Sequence, residues 1–466
     1  MPEETLKNLK ETNERGKVKM RKMFKNKSGI TLIALVVTIV VLLILAGVSI
    51  SLLLDENGII KKSKDARREY GQAKANEQED LSNLSDMIDE ATAEPTPKID
   101  VNTKAGENST INGKKGTSKN PTIPKGYIPI DTVTSTWGDG STAPSQDSVN
   151  HGLVIKDEQN NEWVWVPVDK GTLATMYEES SDEKTLCGTT GETAVKTKLY
   201  SKSITIGIDS NKTTMSRTTP GTSTMGSYRE PDLVAGSGSS YDAKDTYYKT
   251  ILGDTGTKEQ LAQLFADEYK AMIESVSKYG GFYIGRYELS KAGVQKDKAT
   301  LTRTNWYNLY KKCKELNASD KVETRMIWGC QWDVACNFIA NKGDKKNITD
   351  SSSWGNYKET LVKADDGTTE IKASEDAQVL NTGKTTFTMA NNIYDLAGNC
   401  YEWTQEVNGA SYRARRGGSY SFDGSGGPAS YRGDGNFPVS SDYDSLRYSS
   451  YFNNKVKIKE RLILTV

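Results

Sequence analysis

The sequence predicts an α+β domain with much irregular chain, carried behind one long apolar helix. Three observations predict it. An uncharged run of 25 residues, Ile30 to Leu54, holds a large share of the hydrophobic residues, which make up only 35% of the chain's 466. From residue 152 onward, short stretches that alternate at the strand period are interspersed with stretches at helical spacing, the pattern of a mixed architecture. Gly, Ser and Thr crowd the intervals between them, which is turn and loop chemistry.

Composition excludes several functions. The 61 Lys and Arg balance 61 Asp and Glu, so nucleic acid is not an expected partner, because affinity for it comes largely from neutralising phosphates. The one histidine, His151, excludes any site built from two or three imidazoles. The five cysteines, at 187, 313, 330, 336 and 400, contain no CxxC pair. They read neither as a thiolate zinc site nor as a disulfide framework.

At about 1.5 Å per residue, a helix over 30–54 spans the roughly 30 Å hydrocarbon core of a membrane. The 29 residues before it carry nine Lys and Arg, which keeps that end cytoplasmic and sends the rest outside. The expected organisation is a basic leader at 1–29, the span at 30–54, a charged helical stalk at 55–93, a flexible linker at 94–125 and a domain from 126 to 466. Asp55-Glu56-Asn57-Gly58 breaks the span, Leu81, Leu84, Ile88 and Ala91 stripe the stalk, and the Pro-, Gly-, Ser- and Thr-rich linker has almost nothing to bury. The junction Lys27-Ser28-Gly29-Ile30-Thr31-Leu32-Ile33 resembles the processing site of type IV prepilins and pseudopilins. That resemblance implies cleavage between Gly29 and Ile30 and, for a pilus subunit, other pilins as partners. Ala34 stands where that family usually has a register-setting Glu.

Within the domain, 152–155 and 162–168 read as paired strands around Asn160-Asn161, and 179–240 as a long Ser/Thr/Gly-rich surface insertion. Residues 258–279 read as the best helix: Thr257 and Gln260 form a capping box, an apolar stripe follows, and Gly280-Gly281 ends it. Residues 282–290 alternate like a strand, and further helices are expected near 304–316 and 326–340. Cys330 and Cys336, six apart on the second of these, point away from each other.

Phe282-Tyr283-Ile284 through Leu289-Ser290, Tyr394-Asp395-Leu396-Ala397-Gly398-Asn399-Cys400-Tyr401-Glu402-Trp403-Thr404 and Arg416-Gly417-Gly418-Ser419-Tyr420 together resemble the formylglycine-generating-enzyme (sulfatase-modifying factor) family. The resemblance implies a C-type-lectin-like fold. Asp395 and Glu402 on a glycine-containing loop suit a hard cation. The family resemblance implies calcium at Asp395, Glu402 and the backbone of Gly398 and Cys400; otherwise the two carboxylates cap loop amides. Catalytic members use late cysteines with copper, and no cysteine follows Cys400. The expected protein is therefore no enzyme, and a formylglycine-type oxidase is the remote alternative.

Between Ser419 and Tyr451, 24 of 33 residues are Ser, Tyr, Asp, Gly or Asn. That is a composition favoured by evolved binding surfaces, where Tyr supplies rigid amphipathic area and small polar residues adapt. The segment resembles the variable region of proteins diversified by retroelements, many of which use the lectin-like fold. The expected ligand-binding residues are Tyr420, Phe422, Asp423, Tyr431, Arg432, Asp434, Asn436, Phe437, Asp442, Tyr443, Asp444 and Tyr448. The function expected is a membrane-anchored protein displaying this surface outside the cell to a protein or glycan, with a minor pilin or pseudopilin as the alternative.

Overall fold

The computed structural model describes residues 96–130, 149–187, 189, 191–206, 213–215, 217–221, 228–234, 249–316, 322–409, 412–435, 444–446 and 448–452, together with 37–42 and isolated positions between 66 and 88. They divide into two units, Met1–Asp80 and Leu81–Val466. In the first, residues 37–42 are helical and expose Val37, Ile39 and Leu42. The rest of the expected span, with Gly29 and Ile30, lies outside the described residues. Among those described, no helix is long and apolar enough to cross a membrane.

The second unit is mixed α+β with several small sheets. Its largest is six-stranded, in the order β1-β2-β3-β9-β19-β10. These strands are β1 (Ile128–Ile130), β2 (Val154–Lys156), β3 (Glu162–Pro167), β9 (Gly281–Gly285), β10 (Val322–Met326) and β19 (Tyr448–Phe452). All of its pairings are antiparallel. Between β3 and β9 come the hairpins of β4 (Tyr177–Thr185) with β5 (Lys196–Ser201) and of β6 (Ile204–Ile206) with β7 (Thr213–Met215).

A second sheet runs β17-β16-β15-β18, from β15 (Tyr401–Asn408), β16 (Tyr412–Arg416), β17 (Arg432–Gly435) and β18 (Asp444–Leu446). Strand β8 (Tyr228–Arg229) pairs with the far end of β15. Two-stranded ribbons β11 (Val362–Lys363) with β12 (Glu370–Lys372), and β13 (Met389–Ala390) with β14 (Ile393–Tyr394), complete the strands. Gln405 ties the two main sheets together. Its backbone N–H donates to Ile327 O at 3.0 Å and its side-chain amide to Met326 O at 2.7 Å.

Helix Lys258–Tyr279 forms as the spacing predicts: Thr257 and Gln260 make the capping box, and Gly280 closes it at φ 72°. Leu261, Phe265, Tyr269, Met272 and Val276 bury its stripe in the core. Helix Trp306–Glu315, capped by Asn305, and helix Gly329–Asn341 bring in further aromatics. Seven tryptophans, at 163, 165, 306, 328, 332, 354 and 403, are fully buried. Strand β9 ends at Gly285, short of the expected residue 290, because from Arg286 the chain leaves the sheet.

Two expectations about loops are corrected. The segment 94–125, read as a flexible linker, is folded from residue 96 onward: Ile99, Ala105, Ile111 and Ile123 are buried in the core. The backbone there makes its own rungs, Ile99 N–H donating to Thr110 O at 3.0 Å and Ser109 exchanging bonds with Ile123 at 2.9 and 2.7 Å. Four buried apolar residues and these backbone bonds hold a stretch whose average composition is that of a tether. The insertion 179–240 is likewise no mere surface appendage. Arg217, Arg229, Glu230, Asp232, Leu233 and Val234 are all buried.

Candidate functional site

The predicted binding segment divides into parts with different roles. Residues 417–431 are a loop joining β16 to β17, whose ladder closes with Arg416 opposite Arg432. The lower half of that loop is pinned. Trp332 Nε1 donates to Ala429 O at 3.0 Å, Ser430 N–H to Ile348 O at 3.0 Å, and Ala429 N–H to Ser351 Oγ at 3.0 Å. Gly418 sits at φ 76°, and a Cβ there would lie 1.8 Å from Gly427 O. That position admits only glycine.

The upper half faces solvent. Phe422 is 45% exposed and Asp423 is exposed, while Tyr420 and Tyr431 are half-buried. Phe422 meets Tyr401 edge to face at 5.7 Å between centroids, Tyr431 meets it tilted at 5.6 Å, and the Arg415 guanidinium lies 4.6 Å over the Tyr401 ring. Tyr401 is buried, and that burial raises its phenol well above the ordinary range. The result is an aromatic platform in which buried Tyr401 meets half-buried Tyr431 and Arg415 and exposed Phe422. Asp423 is partly committed to its own turn: Oδ1 accepts from Ser425 N–H at 3.1 Å, from Ser425 Oγ at 2.8 Å, and from Gly426 N–H. Those bonds, led by the Ser425 hydroxyl, lower its carboxyl.

Arg432, expected to bind ligand, does not face solvent. Its side chain is 3% exposed and enters a buried ion cluster. Its Nη2 donates to Asp333 Oδ2 at 2.8 Å, and its Nε lies 2.9 Å from Glu406 Oε2. Arg416 Nη2 donates to the other oxygen, Asp333 Oδ1, at 2.7 Å. Arg217 also donates to Asp333 and places Nε 2.9 Å from Glu406 Oε1. Glu230 completes the cluster 3.7 Å from Arg217, and caps helix Gly329–Asn341 by accepting from the Gly329 and Cys330 N–H groups at 2.7 Å each. A carboxylate suits a helix N-terminus. Burial pushes Glu230 up to about 7, with Arg217 beside it pulling the other way. Burial would raise Asp333 too, but Arg432, Arg416 and Arg217 hold it down at about 2. Arg432 is thus withdrawn from solvent into a cluster of three buried arginines and three buried acidic side chains.

Tyr448 belongs to the other main sheet. It opens β19, an interior strand between β9 and β10, opposite Met326. Residues 448–452 are therefore scaffold backbone. Asp444 lies in β18, in parallel register with Tyr401, and Asp434 pairs with Ala414 in β17. Asn436, Phe437, Asp442 and Tyr443 lie outside the described residues. Tyr401 and Arg415 belong to the platform and were missed. The signal was present in Arg413-Ala414-Arg415-Arg416, where strand alternation turns neighbouring arginines to different surroundings.

The candidate metal residues lie close together in the chain, and several of their groups have partners within the protein. Asp395 spends Oδ2 on Gly383 N–H at 2.7 Å and Oδ1 on the Thr388 hydroxyl at 2.6 Å. Cys400 N–H donates to Glu288 Oε1 at 3.1 Å. Gly398 packs against Asn356, and Glu402 is buried in β15 opposite Arg416. Among the described residues, no three His, Cys, Asp or Glu side chains converge as ligands. Asp395, with both oxygens accepting bonds from the protein, is satisfied without a cation. Close by, a different cation is built in. The buried Lys372 ammonium donates to the carbonyls of Tyr357, Asp376, Ala373 and Lys358 at 2.8, 3.0, 3.2 and 3.4 Å.

No family model matches the sequence, and no curated protein matches it. Among solved structures, the chain is similar to Treponema denticola variable protein 1, at 13% identity over 62% of this chain and 95% of that one. The TM-score is 0.20, too loose a likeness to fix fold or role.

Proposed function

We propose that this chain is a membrane-anchored, outward-facing ligand-binding protein, whose loop 417–431 and neighbouring strands present a diversified Tyr-rich surface on a C-type-lectin-like scaffold. The observation that carries this reading is the platform itself. Phe422 and Tyr431 each meet the Tyr401 ring, with the Arg415 guanidinium 4.6 Å from that ring, while backbone hydrogen bonds at Tyr420, Phe422, Gly424, Ala429 and Ser430 hold the loop to its neighbours. Clustered aromatics with a cation are the residue types that dominate binding energy at interfaces. The uncharged run 30–54 and the basic leader support the anchor and the outward orientation. A non-catalytic role is supported by the thiols: all five cysteines are buried, and burial raises Cys187 to about 11 and Cys336 to about 12. Neutral, enclosed thiols are poor nucleophiles.

The test is a capture screen of the full chain, in membranes, against arrays of proteins and glycans, run beside a Phe422→Ala/Tyr431→Ala double variant. The expected result is a ligand bound by the parent and lost by the double variant. Equal capture by both would refute the assignment of this face.

A further inference from the structure

One aspartate holds both ends of the loop. Arg416 and Arg432 are directly opposite in the β16–β17 ladder, so two like charges face each other across strands, an arrangement that destabilises a sheet unless something neutralises it. Asp333 does so together with Glu406, giving Oδ1 to Arg416 at 2.7 Å and Oδ2 to Arg432 at 2.8 Å, the second oxygen also accepting from Arg217. Arg416 also reaches over the seam, donating from Nε to Tyr431 O at 2.9 Å and from Nη2 to Ser430 O at 3.4 Å. The exit of the loop is thus bound to the side chain at its entrance. None of these bonds uses Tyr420, Ser421, Phe422 or Ser425.

We infer that Asp333 is a positioning residue for the ligand face. With Arg416 and Arg432 it forms a clasp that fixes the base of residues 417–431, so that the outward side chains can be replaced without the base moving. This rests on the reading of that loop as the ligand face, and adds to it a helix residue far outside the Tyr-rich segment. Helix Gly329–Asn341 presents Asp333 with zero side-chain exposure. Charge-assisted bonds of this kind are short and directional, which suits a clasp better than apolar packing would. Glu406, within 2.9 Å of Arg432 Nε, supports the same end.

The experiment is amide hydrogen exchange on the full chain, without ligand, for the parent, Asp333→Asn and Arg432→Lys. Lysine keeps the charge but cannot span Asp333 and Glu406 together, and it serves if Asp333→Asn does not fold. The inference expects exchange within 417–431 to speed up about tenfold or more in each folded variant, while helix Lys258–Tyr279 keeps the parent's protection. It further expects Phe422→Ser to leave protection of residues 427–431 unchanged. Unaltered exchange in 417–431, or an equal rise in helix Lys258–Tyr279, would overturn it. Because no ligand enters this measurement, the clasp can fail while the binding face stands, and the reverse.

Discussion

Tyr401 and Phe422 meet edge to face at 5.7 Å, although one is a strand residue at 3% exposure and the other a loop residue at 45%. The pair joins a buried strand to an exposed loop. Phe422→Ala should therefore change unfolding free energy by less than about 1 kcal/mol, as exposed sites do. Tyr401→Ala should cost about 3 kcal/mol or more, as buried aromatics do. Chemical denaturation of the two variants checks this, and equal losses would contradict that difference.

The ion cluster gives stability two opposed pH dependences. Asp333 is held at about 2 against an ordinary 3.8, so its contribution is complete above the ordinary value and lost as pH falls toward 2. Glu230, raised to about 7 from 4.5, runs the other way: its contribution is complete below 4.5 and lost as pH rises through about 7. Within that window Glu230 favours the folded state toward acid. Urea denaturation between about pH 5 and pH 8 should show that slope in the parent and a flatter one in Glu230→Gln. An unchanged slope in the variant would place the titration elsewhere.

Lys372 serves as an internal cation for four carbonyls. One of them belongs to Lys358, whose N–H donates to Phe422 O at 3.0 Å. Lys372→Met keeps the stem and removes the donor, leaving buried acceptors without it. The expected cost is on the order of 2–4 kcal/mol by denaturant titration. A neutral substitution would mean that water replaces the ammonium freely.

Calcium should not alter the fold. With both Asp395 oxygens already accepting bonds, thermal unfolding in excess chelator and in excess calcium should coincide. A midpoint rising with calcium concentration would reveal a site.

Much of the scaffold was legible in the sequence because its signals are local. The capping box at Thr257 and Gln260, Gly280 and the apolar stripe specify helix Lys258–Tyr279 with no reference to the rest of the chain. The exposure of Phe422, Asp423 and Ser425 agrees with the polar composition of their segment. What escaped depends on long-range partners. Nothing near Arg432 in the chain announces Asp333 and Glu406, and a surface arginine and a buried one look alike in sequence. Tyr448 to Phe452 reads as more of the same Tyr/Ser run, yet strands β9 and β10 make it an interior strand. The segment 96–125 looked like a tether because isolated isoleucines in a polar stretch give no period. Their order comes from pockets formed by residues far away, such as Trp165, whose indole N–H donates to Ser118 O at 3.1 Å.

Whether this surface is diversified is tested most directly by codon-resolved sequencing of residues 395–452 from many copies of this gene in one population. The expected replacements concentrate at Tyr420, Ser421, Phe422, Asp423, Ser425 and Tyr431, with Arg416, Gly418, Gly424, residues 427–430 and Arg432 constant. Replacements spread evenly across the segment, the two clasp arginines included, would contradict that expectation.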